Sequence, residues 1–166
     1  MADFLPAFER VLLEEGGYKL TNSPNDRGGM TYAGISRKFH PDWLGWRYID
    51  AGGEPPAQLV RDFYETAFWL PIRGGNINDQ RVAEALYSMS VNAEAARKLA
   101  QIVLNVTPDG KFGTKTLAAL NAMDAERFLD KLCIAAIARY RDICVRDKTQ
   151  RQWLVGWLNR ALKVAA

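Results

Sequence analysis

One glutamate in this chain stands where its surroundings suit it to acid chemistry. The run Leu13-Glu14-Glu15-Gly16-Gly17-Tyr18 follows a segment in which Asp3 can cap a helix and Phe4, Leu5, Phe8, Val11 and Leu12 recur at three- and four-residue spacing. Gly16 and Gly17 supply the left-handed conformation that closes a helix, which predicts a stop at about Glu14 or Glu15. A carboxylate there faces the negative end of the helix dipole and orphan carbonyls, which disfavour its ionised form and raise its pKa; burial in a cleft would add to that. A carboxylic acid still protonated near neutral pH can deliver a proton to a leaving oxygen. The glycine pair leaves the approach to it free of side chains. The commoner reading of such a run is a solvated glutamate before a helix cap, so the rest of the chain has to decide.

Ten residues intervene before Asp26, which opens Asp26-Arg27-Gly28-Gly29-Met30-Thr31-Tyr32-Ala33-Gly34-Ile35. Polar groups and backbone of that loop could converge on the glutamate. Residues 18 to 36 carry turn chemistry broken by short extended pieces, which predicts a loop or small irregular hairpin. Rival chemistries find little support. The single histidine, His40, offers no zinc cluster and no triad base unless it is recruited, and Asp109-Gly110 lacks the alternating oxygen ligands of a calcium loop. Neither Gly16-Gly17 nor Gly28-Gly29 matches a phosphate-cradling loop, so neither a metal nor a cofactor is expected.

Taken together, Glu15-Gly16-Gly17-Tyr18 and Asp26-x-Gly28-Gly29-x-Thr31-x-x-Gly34-Ile35 resemble the signature of glycoside hydrolase family 108, the bacterial and phage N-acetylmuramidases once labelled secretion activators. Phe68-Trp69-Leu70-Pro71 resembles that family's tyrosine-tryptophan-x-proline element, and Val91-Asn92 sits where the family has alanine-valine-asparagine. Asp109-Gly110-Lys111-Phe112-Gly113-Thr114-Lys115-Thr116-Leu117 is similar to the Asp-Gly turn of the peptidoglycan-binding helical region that completes these proteins, and Trp153-x-x-Gly156-Trp157-x-x-Arg160 resembles its end. One departure is Tyr87-Ser88-Met89-Ser90, which holds no carboxylate where the family commonly has an aspartate.

The resemblance implies a mainly α, lysozyme-like fold and hydrolysis between N-acetylmuramic acid and N-acetylglucosamine, with Glu15 as the acid. Glycoside hydrolysis pairs such an acid with a second group that activates water or acts as nucleophile. Related phage-type lysozymes use Glu, Asp and Thr in the order that Glu15, Asp26 and Thr31 occupy here, at a different spacing. Asp26 could position water, stabilise an oxocarbenium-like transition state, or hold the loop by an Asx-type bond. Thr31 could orient water or bond to backbone. Tyr18, Tyr32 and Trp69 are candidates for stacking on sugar faces, with the core as the alternative, and Asn92 either holds an acetamido group or caps the next helix.

Several elements must hold these groups in place. A helix over 56 to 68 would turn Leu59, Val60, Phe63 and Ala67 inward. Helices are expected at 82 to 91, 93 to 104, 114 to 121 and 125 to 146, and a last one at 150 to 163 that buries Trp153, Leu154, Trp157, Leu158 and Ala161. The polar link around Gly74-Gly75 suggests an N-terminal catalytic lobe over 1–75 and a helical peptidoglycan-binding lobe over 76–166. Cys133 and Cys144 lie eleven residues apart on one expected helix, a rise of about 16 Å that no disulfide spans.

With 22 Lys and Arg against 19 Asp and Glu, the formal charge of +3 suits an anionic polymer without demanding one. The chain shows no signal-peptide pattern and no membrane span, so the expectation is synthesis in the cytoplasm and action on the cell wall after release or export. The partners expected are peptidoglycan glycan strands, with no nucleic acid, no stable membrane insertion and a monomeric chain. The rival reading is a non-catalytic peptidoglycan-binding or secretion-assisting module. A basic DNA binder is a third, and a solvated face explains Arg139, Arg141, Arg146, Lys148 and Arg151 more simply.

Overall fold

The structure, a computed structural model, describes residues 1–22, 29–92 and 95–164. It is mainly helical with one small sheet, the class expected from the sequence. The chain divides into two compact units, one formed by Asp3–Leu70 and the other by Pro71–Ala166 together with Met1–Ala2.

The first unit begins with α1, Phe4–Glu14, whose N-terminus is capped by the Asp3 carboxylate accepting from the Leu5 N–H at 3.1 Å. Pro6 falls in the first turn, where no intrahelical N–H is required. The buried face is Phe4, Ala7, Phe8, Val11 and Leu12. Leu5, expected among them, is 42% exposed, because one residue advances the helix about 100° and carries it off the stripe that Ala7 joins instead.

Where a loop or irregular hairpin was expected, three short strands form: β1, Leu20–Asn22, β2, Met30–Tyr32, and β3, Ile35–Ser36. They lie in the order β1-β2-β3, antiparallel throughout, with Thr21 opposite Thr31 and Tyr32 opposite Ile35. Ala33 and Gly34 close β2 onto β3 with φ of 49° and 78°. Two successive positive φ values make the hairpin turn whose twist matches the strands it joins.

Next come α2, Gly45–Asp50, and α3, Ala57–Tyr64, and then a π-helical turn over Glu65–Trp69. That turn corrects the inward face expected of a continuous helix. A π turn closes i to i+5 and so slides the stripe by a residue: Tyr64 and Trp69, five apart, are buried, whereas Ala67 is exposed. Phe8 meets the Tyr64 ring edge-on at 5.7 Å between centroids, and Phe4 meets Trp69 at 5.6 Å.

The second unit is built on α7, Ala125–Arg146, a helix of 22 residues capped by the Asp124 carboxylate, which accepts from the Arg127 N–H. Against it pack α4, Gln80–Asn92, α5, Ala96–Val103, and α8, Leu154–Leu162. The remaining helix is α6, Thr114–Ala122. Cys133 and Cys144 are both buried and free, as their separation along α7 requires.

The expected last helix is two pieces, a 3-10 segment Lys148–Trp153 and α8, and of the five residues expected inside only Ala161 is buried. Asp147 accepts from the Thr149 N–H and starts the tighter 3-10 winding, which rotates Trp153 outward to 57% exposure. Before α6 the turn at Asp109 is tied to α5 by Gln101, which is 1% exposed. Its amide nitrogen donates to Asp109 Oδ1, the Lys111 carbonyl and Thr116 Oγ1, and its oxygen accepts from the Gly110 N–H. The Gln101 amide, and after it the Lys111 N–H, both donating to Asp109 Oδ1, hold the Asp109 carboxyl below its ordinary pKa. Among the described residues no helix is long and apolar enough to cross a membrane.

Candidate active site

Glu15 is the residue at which α1 stops, with φ of −80° and ψ of 2°. The Gly16 N–H donates to the Leu13 carbonyl at 3.1 Å and the Gly17 N–H to the Leu12 carbonyl at 2.8 Å. With Gly16 at φ 90°, these are the paired bonds of a Schellman close, so the sequence folds here as its glycines dictate. Glu15 is exposed rather than sunk in a cleft, because Leu12 is the last buried residue of the helix. On one side, among the described residues, a Cβ on Gly16 or Gly17 would meet nothing within 4 Å.

The other side is closed. The Ala33-Gly34 turn lies against the stem of Glu15, so that a Cβ on Gly34 would sit 3.3 Å from both Cβ and Cγ of the glutamate and would collide with the Tyr64 hydroxyl. Only glycine fits a position that combines this approach with a left-handed backbone. Tyr64, at the last turn of α3, is 2% exposed, and its hydroxyl donates to the Ala33 carbonyl at 2.9 Å. Burial raises the Tyr64 pKa, and the charge of Glu15 raises it further, so the phenol stays protonated at every working pH. The inward face read from the sequence passed over Tyr64. The signal was present, because Tyr64 lies four residues after the inward Val60, and the π turn that follows hides the pattern.

The other residues singled out from the sequence are placed variously. Asp26 lies outside the described residues. Thr31, on β2, directs its hydroxyl to the Gly29 carbonyl at 3.2 Å, which is the backbone bond weighed against an interaction with water. Tyr18 follows the glycine pair and is 44% exposed, so a face of its ring is open to a ligand. Tyr32 is buried and stacks on Trp43 at 6.0 Å with 25° between the planes. Burial, then the charges of Glu54 and Tyr18, push its phenol pKa up. Trp69 is 3% exposed, packed on Phe4.

The rings of Tyr32 and Trp69 thus lie in the core of the first unit, the alternative weighed against sugar stacking. Asn92 ends α4 in the second unit, and its amide donates to the Ser88 carbonyl of its own helix at 2.9 Å. Glu15, Gly34 and Tyr64 are thus the groups the structure gathers. Among the described residues no three of His, Cys, Asp and Glu cluster as a metal site would require.

Comparison with known proteins gives two family matches in series. The model described as Glycosyl hydrolase 108 matches residues 8–93, and the one described as Predicted Peptidoglycan domain matches residues 93–162. No curated protein matches. Among solved structures the chain is similar to that titled Structure of Brucella abortus SagA, with a TM-score of 0.67 and 26% identity, covering 96% of this chain and 94% of that one.

Proposed function

Since this chain belongs to the glycosyl hydrolase 108 family, we propose that it hydrolyses the β-1,4 bond between N-acetylmuramic acid and N-acetylglucosamine in peptidoglycan, with Glu15 as general acid. A glycoside hydrolase joined to a peptidoglycan domain has a glycan polymer as its substrate. The observation that carries the finer reading is the placement of Glu15: a carboxylate at the closing turn of α1, open toward Gly16 and Gly17 and backed by Gly34. The negative end of the α1 dipole lies beside this carboxylate, and a glycan laid over the glycines would exclude water from it.

The acid delivers its proton to the leaving glycosidic oxygen as the bond breaks, and positive charge develops on the sugar ring. The second part of the reaction, attack from the other face of the ring, falls to Asp26 in this reading, either by positioning water or by stabilising the oxocarbenium-like state. Thr31 keeps its hydroxyl on the Gly29 carbonyl, three residues after Asp26 in the sequence. Tyr18 provides the aromatic face for a sugar.

Reducing-end analysis of digested peptidoglycan tests the bond and the acid together. Wild type should release fragments with new muramic-acid reducing ends, and Glu15→Gln should lower the rate about 10²-fold or more while remaining folded. Release at the wild-type rate by Glu15→Gln would remove the glutamate from the mechanism. Retention on insoluble peptidoglycan by wild type with no fragments at all would favour a non-catalytic wall-binding module.

A further inference from the structure

Glu15 is an exposed side chain at a helix end. An acid that must meet one oxygen of a bound glycan needs a defined position, because near-attack geometry tolerates little displacement. The Ala33-Gly34 turn lies close enough to contribute to that position: a Cβ on Gly34 would sit 3.3 Å from Cβ and Cγ of Glu15. That turn is itself in a costly conformation, since Ala33 has a side chain at φ 49°. A two-residue turn of this kind between strands of three and two residues needs an external hold.

We propose that Tyr64 is a positioning residue for the acid: its hydroxyl, donating to the Ala33 carbonyl, pins the hairpin turn against the stem of Glu15 and so fixes the direction of the carboxyl. The inference rests on Glu15 being the acid. Three features support it beyond that reading. The Tyr64 hydroxyl is buried and its proton is committed to Ala33, a bond that spans 31 positions of sequence and ties α3 to the hairpin. The phenol oxygen and the Glu15 stem flank the same α-carbon, that of Gly34, with no room for a methyl group between them. The ring is held by Phe8 of α1 and by Phe63 and Phe68, so the hydroxyl cannot move away without moving the core.

Tyr64→Phe keeps the ring and removes only the hydroxyl. The Ala33 carbonyl then loses its buried donor and the turn is released from Glu15, whereas the open face over Gly16 and Gly17 is unchanged. The experiment measures kcat and KM on soluble peptidoglycan fragments for wild type, Tyr64→Phe and Glu15→Gln, at a temperature well below the melting point of each. The expected result is a kcat about tenfold or more lower for Tyr64→Phe with KM within about twofold.

A wild-type kcat, a loss that appears only in KM, or a loss that vanishes on cooling would overturn the proposal, because each is what a merely structural tyrosine would give. Glu15→Gln separates the two readings. If it stays active the acid assignment fails, whereas if it is inactive and Tyr64→Phe is not impaired, only the positioning role fails. Should Tyr64→Phe not fold, Phe63→Leu carries the same test, since it loosens the Tyr64 ring while keeping the hydroxyl and should lower kcat with the same split; an unchanged kcat would overturn the proposal.

Discussion

At the scale of single residues, Gly16 and Gly34 are both glycines at positive φ beside the same glutamate, yet they serve it differently. Among the described residues a Cβ on Gly16 would meet nothing within 4 Å, so its constraint is the left-handed backbone of the Schellman close. Replacing it with alanine should cost about 1 to 2 kcal/mol, the penalty of an L-residue in that conformation, read as a lower urea midpoint with an unchanged slope. A cost near zero would mean that the helix end relaxes to another close. Gly34 adds a collision to the same backbone constraint, and its substitution acts on the acid as well as on the turn. Glu15 and Gly16 were legible in the sequence because helix-stop chemistry is local: a carboxylate followed by two glycines implies where the helix ends. Tyr64 was not, because what makes it important is a bond to Ala33, 31 positions away, and no periodicity reports a single long-range hydroxyl.

Between residue and molecule lie the elements, and the same contrast recurs there. The 22-residue helix Ala125–Arg146 was readable to its ends, since Asp124 caps it and its apolar stripe runs unbroken through six turns. The segment over 56 to 68 was not, because a π turn over Glu65–Trp69 shifts the inward face by one residue, and nothing in the spacing announces it. The last helix misled for a related reason: the Asp147 cap begins a 3-10 segment, and Trp153 faces solvent instead of the core. The turn after Val103 depends on one buried amide, that of Gln101, which serves four partners at once. Gln101→Leu keeps the bulk and strips all four. With the Gly110 N–H and the Thr116 hydroxyl left short of partners, the variant should lose about 2 to 4 kcal/mol of stability in urea unfolding. A loss under about 1 kcal/mol would show that water replaces the amide without difficulty.

At the scale of the whole chain, the match to the glycosyl hydrolase model takes in all of the helices from Phe8 onward in the first unit and also α4 of the second, ending at residue 93 where the peptidoglycan match begins. The mainly α class, the family and the order of its two parts were all legible, because they rest on motifs spread over most of the chain. A partner can be separated from mere charge attraction by its response to salt. The formal charge is only +3, and the basic residues near the end of α7 are matched in part by acids, as where Arg141 pairs with Asp142 at 2.6 Å. Adsorption driven by that charge would fade as the screening length falls from about 10 Å at 0.1 M salt to about 3 Å at 1 M. Recognition through packed aromatic and hydrogen-bonding groups is less sensitive. The full-length Glu15→Gln chain, which should bind without cutting, is therefore expected to stay on insoluble peptidoglycan with less than about a tenfold loss of affinity between those salt concentrations. A steep fall over that interval, together with equal retention on an unrelated anionic resin, would reduce the attachment to simple charge and leave the peptidoglycan region without a specific role in binding.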